Sequence, residues 1–176
     1  MIHFKTAQIH EAKLITNLVN SAYRGDYSRQ GWTTEADLIE GQRTDDASII
    51  KMIQTQGEQI EIALNTDGKV VGCVFLKRED QSTLYFGMLT VEPSLQGAGL
   101  GKKILLHIET IARKENREKI RLTVIPQRTE LIEFYERRGF KATGREEDFP
   151  SHDPANGTPK ISNLKLMEYI KTLDQS

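Results

Sequence analysis

The sequence predicts an α/β (or α+β) fold, a mixed and mostly antiparallel sheet with flanking helices. Between residues 60 and 91 apolar and polar side chains alternate around a tight turn, the pattern of an antiparallel meander. Between 84 and 125 the pattern becomes strand, amphipathic helix, strand, which calls for a parallel pair joined by a crossover. No linker, repeat or low-complexity tract interrupts the 176 residues, so residues 1–176 read as a single domain.

Taken in order, Ile2–Thr6 reads as an entry strand. Leu14, Ile15, Leu18, Val19 and Ala22 recur at helical spacing within 10–23. Gly25 to Thr34 is a loop, and Thr33 or Thr34 is placed to cap a second helix over 35–40. A short helix spans 47–54, ended by Gly57. Ile60, Ile62 and Leu64 alternate, Asp67-Gly68 turns the chain, and 70–76 and 83–91 continue the meander until Pro93. Leu100, Ile104, Leu105, Ile108, Ile111 and Ala112 line one face of a helix, with Arg113 to Lys119 as its wet exit. Ile120, Leu122 and Val124 alternate in the next strand. Thr129 is placed to cap a helix carrying Leu131, Ile132, Phe134 and Tyr135. Gly139 ends it in the left-handed conformation, with Phe140 packed back. Pro150–Pro159 is turn-rich, and 161–170 is the last strand.

The 24 basic and 25 acidic residues nearly cancel, leaving no electrostatic footprint for nucleic acid or an acidic membrane. The one cysteine, Cys73, excludes a disulfide within the chain, which suits a reducing compartment. The first residues lack the apolar stretch of a signal peptide, and no apolar run approaches the roughly 18 residues of a bilayer span. A cytoplasmic location, as monomer or homodimer, is the expectation. His3, His10, His107 and His152 show no metal-ligand spacing, and no metal is expected.

The chemistry concentrates in 89–102. Gln96, Gly97, Ala98, Gly99, Leu100, Gly101 and Lys102 place a glycine-rich turn between a strand and an amphipathic helix. The first N–H groups of a helix lack internal partners and its dipole makes that end positive, so an anion such as a diphosphate can bind there. Glycine removes the side chains that would keep it away. A dinucleotide fingerprint read from Gly97 would need glycine where Lys102 stands. A P-loop ending at Gly101-Lys102 would need glycine at Gln96 and a hydroxyl residue at Lys103. Both fail. Taken alone, such a turn also serves close packing.

Gln96-x-x-Gly99-x-Gly101, preceded by Leu89-Thr90-Val91-x-Pro93, resembles the acyl-CoA motif of the GNAT superfamily of N-acetyltransferases. Leu122-x-Val124 followed by Phe134-Tyr135-Glu136-Arg137-Arg138-Gly139-Phe140 resembles its second motif. The resemblance implies a central parallel strand pair that splays apart around acetyl-CoA. It implies that the backbone of Leu89, Thr90 and Val91 bonds the pantetheine arm, and that Gly97 to Lys102 hold the diphosphate. Lys102 either adds its charge or is a surface lysine. An amine would attack the thioester directly, with Tyr135 protonating the departing thiolate. The other reading of Tyr135 is an apolar-stripe residue whose hydroxyl bonds the cofactor.

Thr123 stands where some relatives carry a basic glutamate, so Glu92 is the nearest alternative base, or else a solvated carboxylate. Arg128 replaces an asparagine common at the start of the second-motif helix; it either reaches the cofactor or points to solvent. Gly31-Trp32-Thr33-Thr34-Glu35 and Gly157-x-Pro159-Lys160 resemble one branch of the superfamily and are expected to frame the acceptor pocket. Tyr23, Trp32, Glu35 and Phe149 would line it, with Glu35 or Asp26 attracting a cationic amine. The acceptor is left open among small amines and peptide or protein amines, and a non-catalytic acyl-CoA sensor is the rival reading.

Overall fold

The computed structural model describes residues 1–151 and 156–174. Of the turn-rich 150–159 stretch, residues 152–155, His152 among them, therefore lie outside the described residues. The described chain runs β1 (His3–Thr6), α1 (Ala12–Tyr23), β2 (Ile39–Glu40), α2 (Asp46–Gln54), β3 (Glu58–Leu64), β4 (Val70–Arg78), β5 (Thr83–Val91), α3 (Leu100–Lys114), β6 (Lys119–Val124), α4 (Thr129–Glu136), β7 (Lys141–Asp148), β8 (Thr158–Pro159) and β9 (Lys165–Thr172). Seven strands make one sheet in the order β1-β3-β4-β5-β6-β9-β7, and β2 pairs with β8 in a separate ribbon. Among the described residues only β5 and β6 are parallel; the other pairs of the sheet are antiparallel.

The apolar periodicities decide which face each helix covers. Ile15, Val19 and Ala22 of α1 and Ile49 of α2 pack with Ile60, Ile62, Cys73 and Met88 in one cluster. Leu100, Ile104, Leu105, Ile108 and Ala112 of α3 join Leu131, Phe134 and Tyr135 of α4 in the larger cluster, with Leu84, Phe86, Ile120 and Leu122. The sheet is thus covered on both faces. Asp45 starts α2 by accepting the Ser48 N–H at 2.7 Å. Gly139 ends the α4 segment at φ 94°, and Phe140 is 2% exposed.

Four expectations need correction. The helix expected over 35–40 is a single turn, with Leu38 and Ile39 both donating to the Glu35 carbonyl; Ile39 and Glu40 then pair with Pro159 and Thr158. Thr129 is the first residue of α4 rather than its cap, the N-cap position being held by Arg128. The last strand begins at Lys165, not 161. β7 is a strand that the sequence pattern does not announce: every one of its residues is exposed, and an edge strand lacking an apolar face carries no alternating signal.

Two features of β5 open space beside it. Its pairing with β6 covers only Thr83–Tyr85 against Lys119–Arg121, after which the strands part. Against β4, Cys73 pairs with Thr90 but Phe75 with Gly87, so β5 carries an extra residue, a β-bulge with Met88 at φ 55°. The apolar phase of the strand slips at the same place. Leu84 and Phe86 face the larger cluster from even positions, Leu89 and Val91 from odd ones.

Cys73 is buried on β4, and burial pushes its thiol up to about 12. The native protein is therefore expected to leave Ellman's reagent unreacted at neutral pH and to titrate one thiol only in denaturant; rapid reaction of the native chain would contradict this packing.

Candidate active site

Two cavities open where β5 and β6 part, and Leu89 and Leu131 line both. The first cleft is built on the glycine-rich turn. Gly97 and Gly99 adopt φ 91° and 85°, a region that side-chain-bearing residues enter only at a cost. Among the described residues the N–H groups of Gly97, Gly99, Leu100, Gly101 and Lys102 donate to no protein acceptor, whereas that of Ala98 is held by the Leu95 carbonyl. Gly97, Gly99, Leu100, Gly101 and Lys102 line the cleft with Arg137 and Arg138; Ala98 does not. Five unpaired N–H groups, three cationic side chains and a helix N-terminus together fit the diphosphate of coenzyme A.

Gln96 lines the same cleft, and its side chain is engaged within the protein. Its side-chain oxygen accepts the N–H groups of Trp32 (2.8 Å) and Thr33 (3.2 Å), and its amide donates to Thr33 Oγ1 (2.8 Å) and the Val91 carbonyl (3.1 Å). All four hydrogen-bonding positions are used in latching the 31–33 loop onto the end of β5. A Cβ on Gly31 would stand 2.3 Å from Gln96 Oε1, so glycine alone permits this approach. The latch puts Trp32 on the rim of this cleft, tilted on Phe134 with ring centroids 5.6 Å apart, and not in the second cavity.

The second cavity, ≈ 220 Å³, is walled by the β5 bulge (Gly87, Met88, Leu89), by Leu122–Ile125 and by Tyr23, Tyr135 and Phe149. Tyr23 is buried and its hydroxyl donates to the Leu89 carbonyl. Leu89 and Val91 thus each already have a protein partner on the carbonyl, and Thr90, 1% exposed, bonds its hydroxyl to the Met88 carbonyl and lines neither cavity. Tyr135 is both packed and cavity-facing. Its ring packs with Phe86, Phe134 and Phe140 in the apolar cluster, yet it lines the cavity, and its hydroxyl has no partner among the described residues. Burial pushes the Tyr135 phenol well above its ordinary value, so it holds its proton.

Charge in this cavity runs against expectation. Glu35, 5% exposed, lies 3.6 Å from Arg24 Nη2 and 3.7 Å from Arg128 Nη1, so its charge is already countered and is not available to attract a cationic amine. Arg128 lies outside the lining of the first cleft, with its side chain 9% exposed; it donates to the Thr33 carbonyl and stands over the Tyr23 ring, 5.3 Å from its centroid. Asp26 is exposed near Arg29. Glu92 is outside both linings; its carboxylate caps the Pro93–Leu95 turn and accepts the Tyr27 hydroxyl at 2.5 Å. Thr123 does line the cavity.

Sequence reasoning missed Arg24 and Arg43, which also line it. Arg43 follows the polar stretch Glu40-Gly41-Gln42, and Arg24 opens the polar loop after Tyr23, so neither carries a burial signal. His107 of α3 bonds Glu61 of β3 at 2.8 Å and lines neither cavity, and no metal-holding cluster occurs among the described residues. No helix among them is long and apolar enough to cross a membrane.

Comparison with known proteins agrees with this layout. The sequence profile of the acetyltransferase (GNAT) family matches residues 13–140. Peptidyl-lysine N-acetyltransferase YjaB of Salmonella typhimurium is 30% identical over 86 residues, 49% of this chain and 52% of that protein, so the match spans about half the length of that relative. A GNAT-family acetyltransferase from Staphylococcus aureus superposes with a TM-score of 0.70 at 19% identity, over 99% of this chain and all of that one. A GNAT-family acetyltransferase of Elizabethkingia anophelis, solved with acetyl-CoA bound, gives 0.61 at 17% identity over 73% of this chain and 84% of its own.

Valine in place of Gly99 would force a β-branched residue into the left-handed region and add bulk beside the free N–H groups. The expected result is a loss of coenzyme A affinity of at least about tenfold, by calorimetry or by the fluorescence of Trp32, the sole tryptophan; unaltered affinity would refute the diphosphate cradle.

Proposed function

The chain belongs to the acetyltransferase (GNAT) family, and on that premise we propose that it is an acetyl-CoA-dependent N-acetyltransferase acting on a primary amine. The carrying observation is the run of unpaired N–H groups at Gly97 and Gly99–Lys102, next to β5, which has parted from β6 and shares the cleft wall with that turn. When bound, acetyl-CoA supplies an acetyl group activated as a thioester.

The chain's own residues divide the remaining work. The glycine-rich turn with Lys102, Arg137 and Arg138 holds the diphosphate, and the wedge between β5 and β6 admits the pantetheine. The acceptor enters the cavity under Tyr23 and Tyr135. Tyr135, kept protonated by burial, supplies the proton to the departing thiolate. The base is not a carboxylate in this reading. Glu92 is committed to its cap, and Glu35 is countered by two guanidinium groups. Instead, the cationic lining disfavours an ammonium, so the acceptor loses its proton on entry and attacks as a neutral amine.

Tyr135→Phe keeps the ring packing and deletes the proton. Turnover is expected to fall at least about tenfold, with coenzyme A affinity unchanged; unaltered turnover would remove the acid role. The pH profile is a second check. A phenol raised above its usual value of about 10 remains a proton donor throughout the ordinary range. The wild-type rate should therefore rise with pH as the acceptor deprotonates and show no descending limb below about pH 10.

A further inference from the structure

The acceptor cavity carries more positive charge than the described residues neutralise. Arg24, Arg43 and Arg128 line it, and among the described residues Glu35 is the only carboxylate in its wall. Arg24 and Arg128 share Glu35, at 3.6 and 3.7 Å, which are ion-pair distances too long for hydrogen bonds. Arg24, with its side chain 4% exposed, donates through Nη1 to the Gln42 and Asn156 carbonyls, while its Nε and Nη2 find no acceptor among the described residues. Arg43 is less committed still. Its guanidinium makes no ion pair or hydrogen bond among the described residues and rests over the Tyr23 ring, 5.7 Å from the centroid. Arg24 is buried, Arg128 nearly so and Arg43 half-buried, and three guanidinium groups sharing one carboxylate in such a wall are costly unless a ligand supplies the missing charge.

The geometry points to a small amine that also carries a carboxylate, a free amino acid in chemical class, as the acceptor, its carboxylate held by Arg43 with Arg128 and its amine directed toward Leu89 and Tyr135. This rests on the N-acetyltransferase reading and names the substrate class of that site. Three considerations favour it. Arginine's planar fork matches a carboxylate in two parallel hydrogen bonds. A cavity of ≈ 220 Å³ is below the roughly 300–1,000 Å³ of pockets for drug-sized ligands, which suits a small molecule. And a zwitterion satisfies both demands of the wall: its carboxylate meets the surplus charge, while the amine, beside arginines, is driven toward the neutral nucleophile. A polyamine or an unblocked lysine side chain brings only positive charge.

The transfer balances simply. The amine nitrogen forms a bond to the acetyl carbonyl carbon, the carbon–sulfur bond breaks, the nitrogen gives up one proton, and the thiolate takes one, leaving the N-acetylamino acid and coenzyme A.

The test is coenzyme A release from acetyl-CoA by the purified protein with four acceptor classes: the twenty L-amino acids, their carboxamides, the corresponding decarboxylated amines, and a lysine-containing peptide blocked at both ends. At least one free acid should exceed its own amide and amine about 10- to 100-fold in kcat/KM, the usual effect of one charge-assisted hydrogen-bonded pair. This is a stringent comparison, because the amide's amine is the less basic and so more readily neutral. Arg43→Gln, with a thermal midpoint near that of the wild type, should shrink the acid-to-amide ratio toward one, and Arg43→Lys should restore part of it. Amides, simple amines or the peptide reacting as well as the acids would overturn this inference and leave N-acetyl transfer standing. An acid preference that survives Arg43→Gln would overturn the assignment to Arg43. Calorimetric uptake of acetyl-CoA with no release for any class would overturn the enzyme reading and the inference with it.

Discussion

The separation of β5 from β6 is the constraint on which the molecule's other features depend. Parallel strands that remained paired would leave no opening, and here only three residue pairs hold them together. Past Tyr85 and Arg121 each strand keeps just its outer neighbour, β4 for β5 and β9 for β6. Peptide groups released from a ladder in a protein interior need other partners or a ligand. The bulge at Met88 takes up part of the change, and the Tyr23 hydroxyl takes up the Leu89 carbonyl. What remains is a wedge whose two ends are the cleft and the cavity, with Leu89 and Leu131 between them.

A wedge of this kind must be kept from collapsing, and two residues tied by resemblance to the cofactor do that work. Gln96 latches the 31–33 loop onto β5 through four hydrogen bonds, and Arg128 bonds the Thr33 carbonyl and pairs with Glu35 two residues further along. The loop is therefore held twice, once from the turn preceding α3 and once from the start of α4. That arrangement fixes Trp32 and Thr33 against the cleft before any ligand arrives, so less ordering remains to oppose binding.

How much of this could be read from the sequence depended on whether a residue's part was local. The meander, α3, the parallel pair and the glycine-rich turn rest on periodicity and spacing, and the structure has them at nearly the expected bounds. The 35–40 helix failed because Ile39 and Glu40 find strand partners some 120 residues away, a tertiary pairing that outweighs local helix propensity. β7 escaped because an exposed edge strand needs no apolar face. The bulge shows as a slip of one in the apolar phase of β5, though the signal consists of four residues and is easily taken for noise. Arg24 and Arg43 were not legible at all. Arginine is a surface residue by default, and only the packed structure reveals which ones are enclosed.

That enclosure changes the character of the catalytic problem. A cavity lined by carboxylates would recruit an ammonium readily and then need a strong base to strip it. In the proposed reaction a cavity with surplus arginine charge does the reverse: it raises the free energy of the ammonium relative to the amine, so the acceptor would lose its proton to bulk water as part of binding. The same field would weaken binding of any purely cationic acceptor, and the penalty is avoided only by a molecule bringing its own negative charge. With Thr123 in place of a carboxylate and Glu35 neutralised by its neighbours, deprotonation and selectivity become consequences of one electrostatic arrangement. Tyr135 completes it from the other side. Its proton is held by burial, and in the proposed reaction the charge that would call for that proton arises only as the thiolate departs.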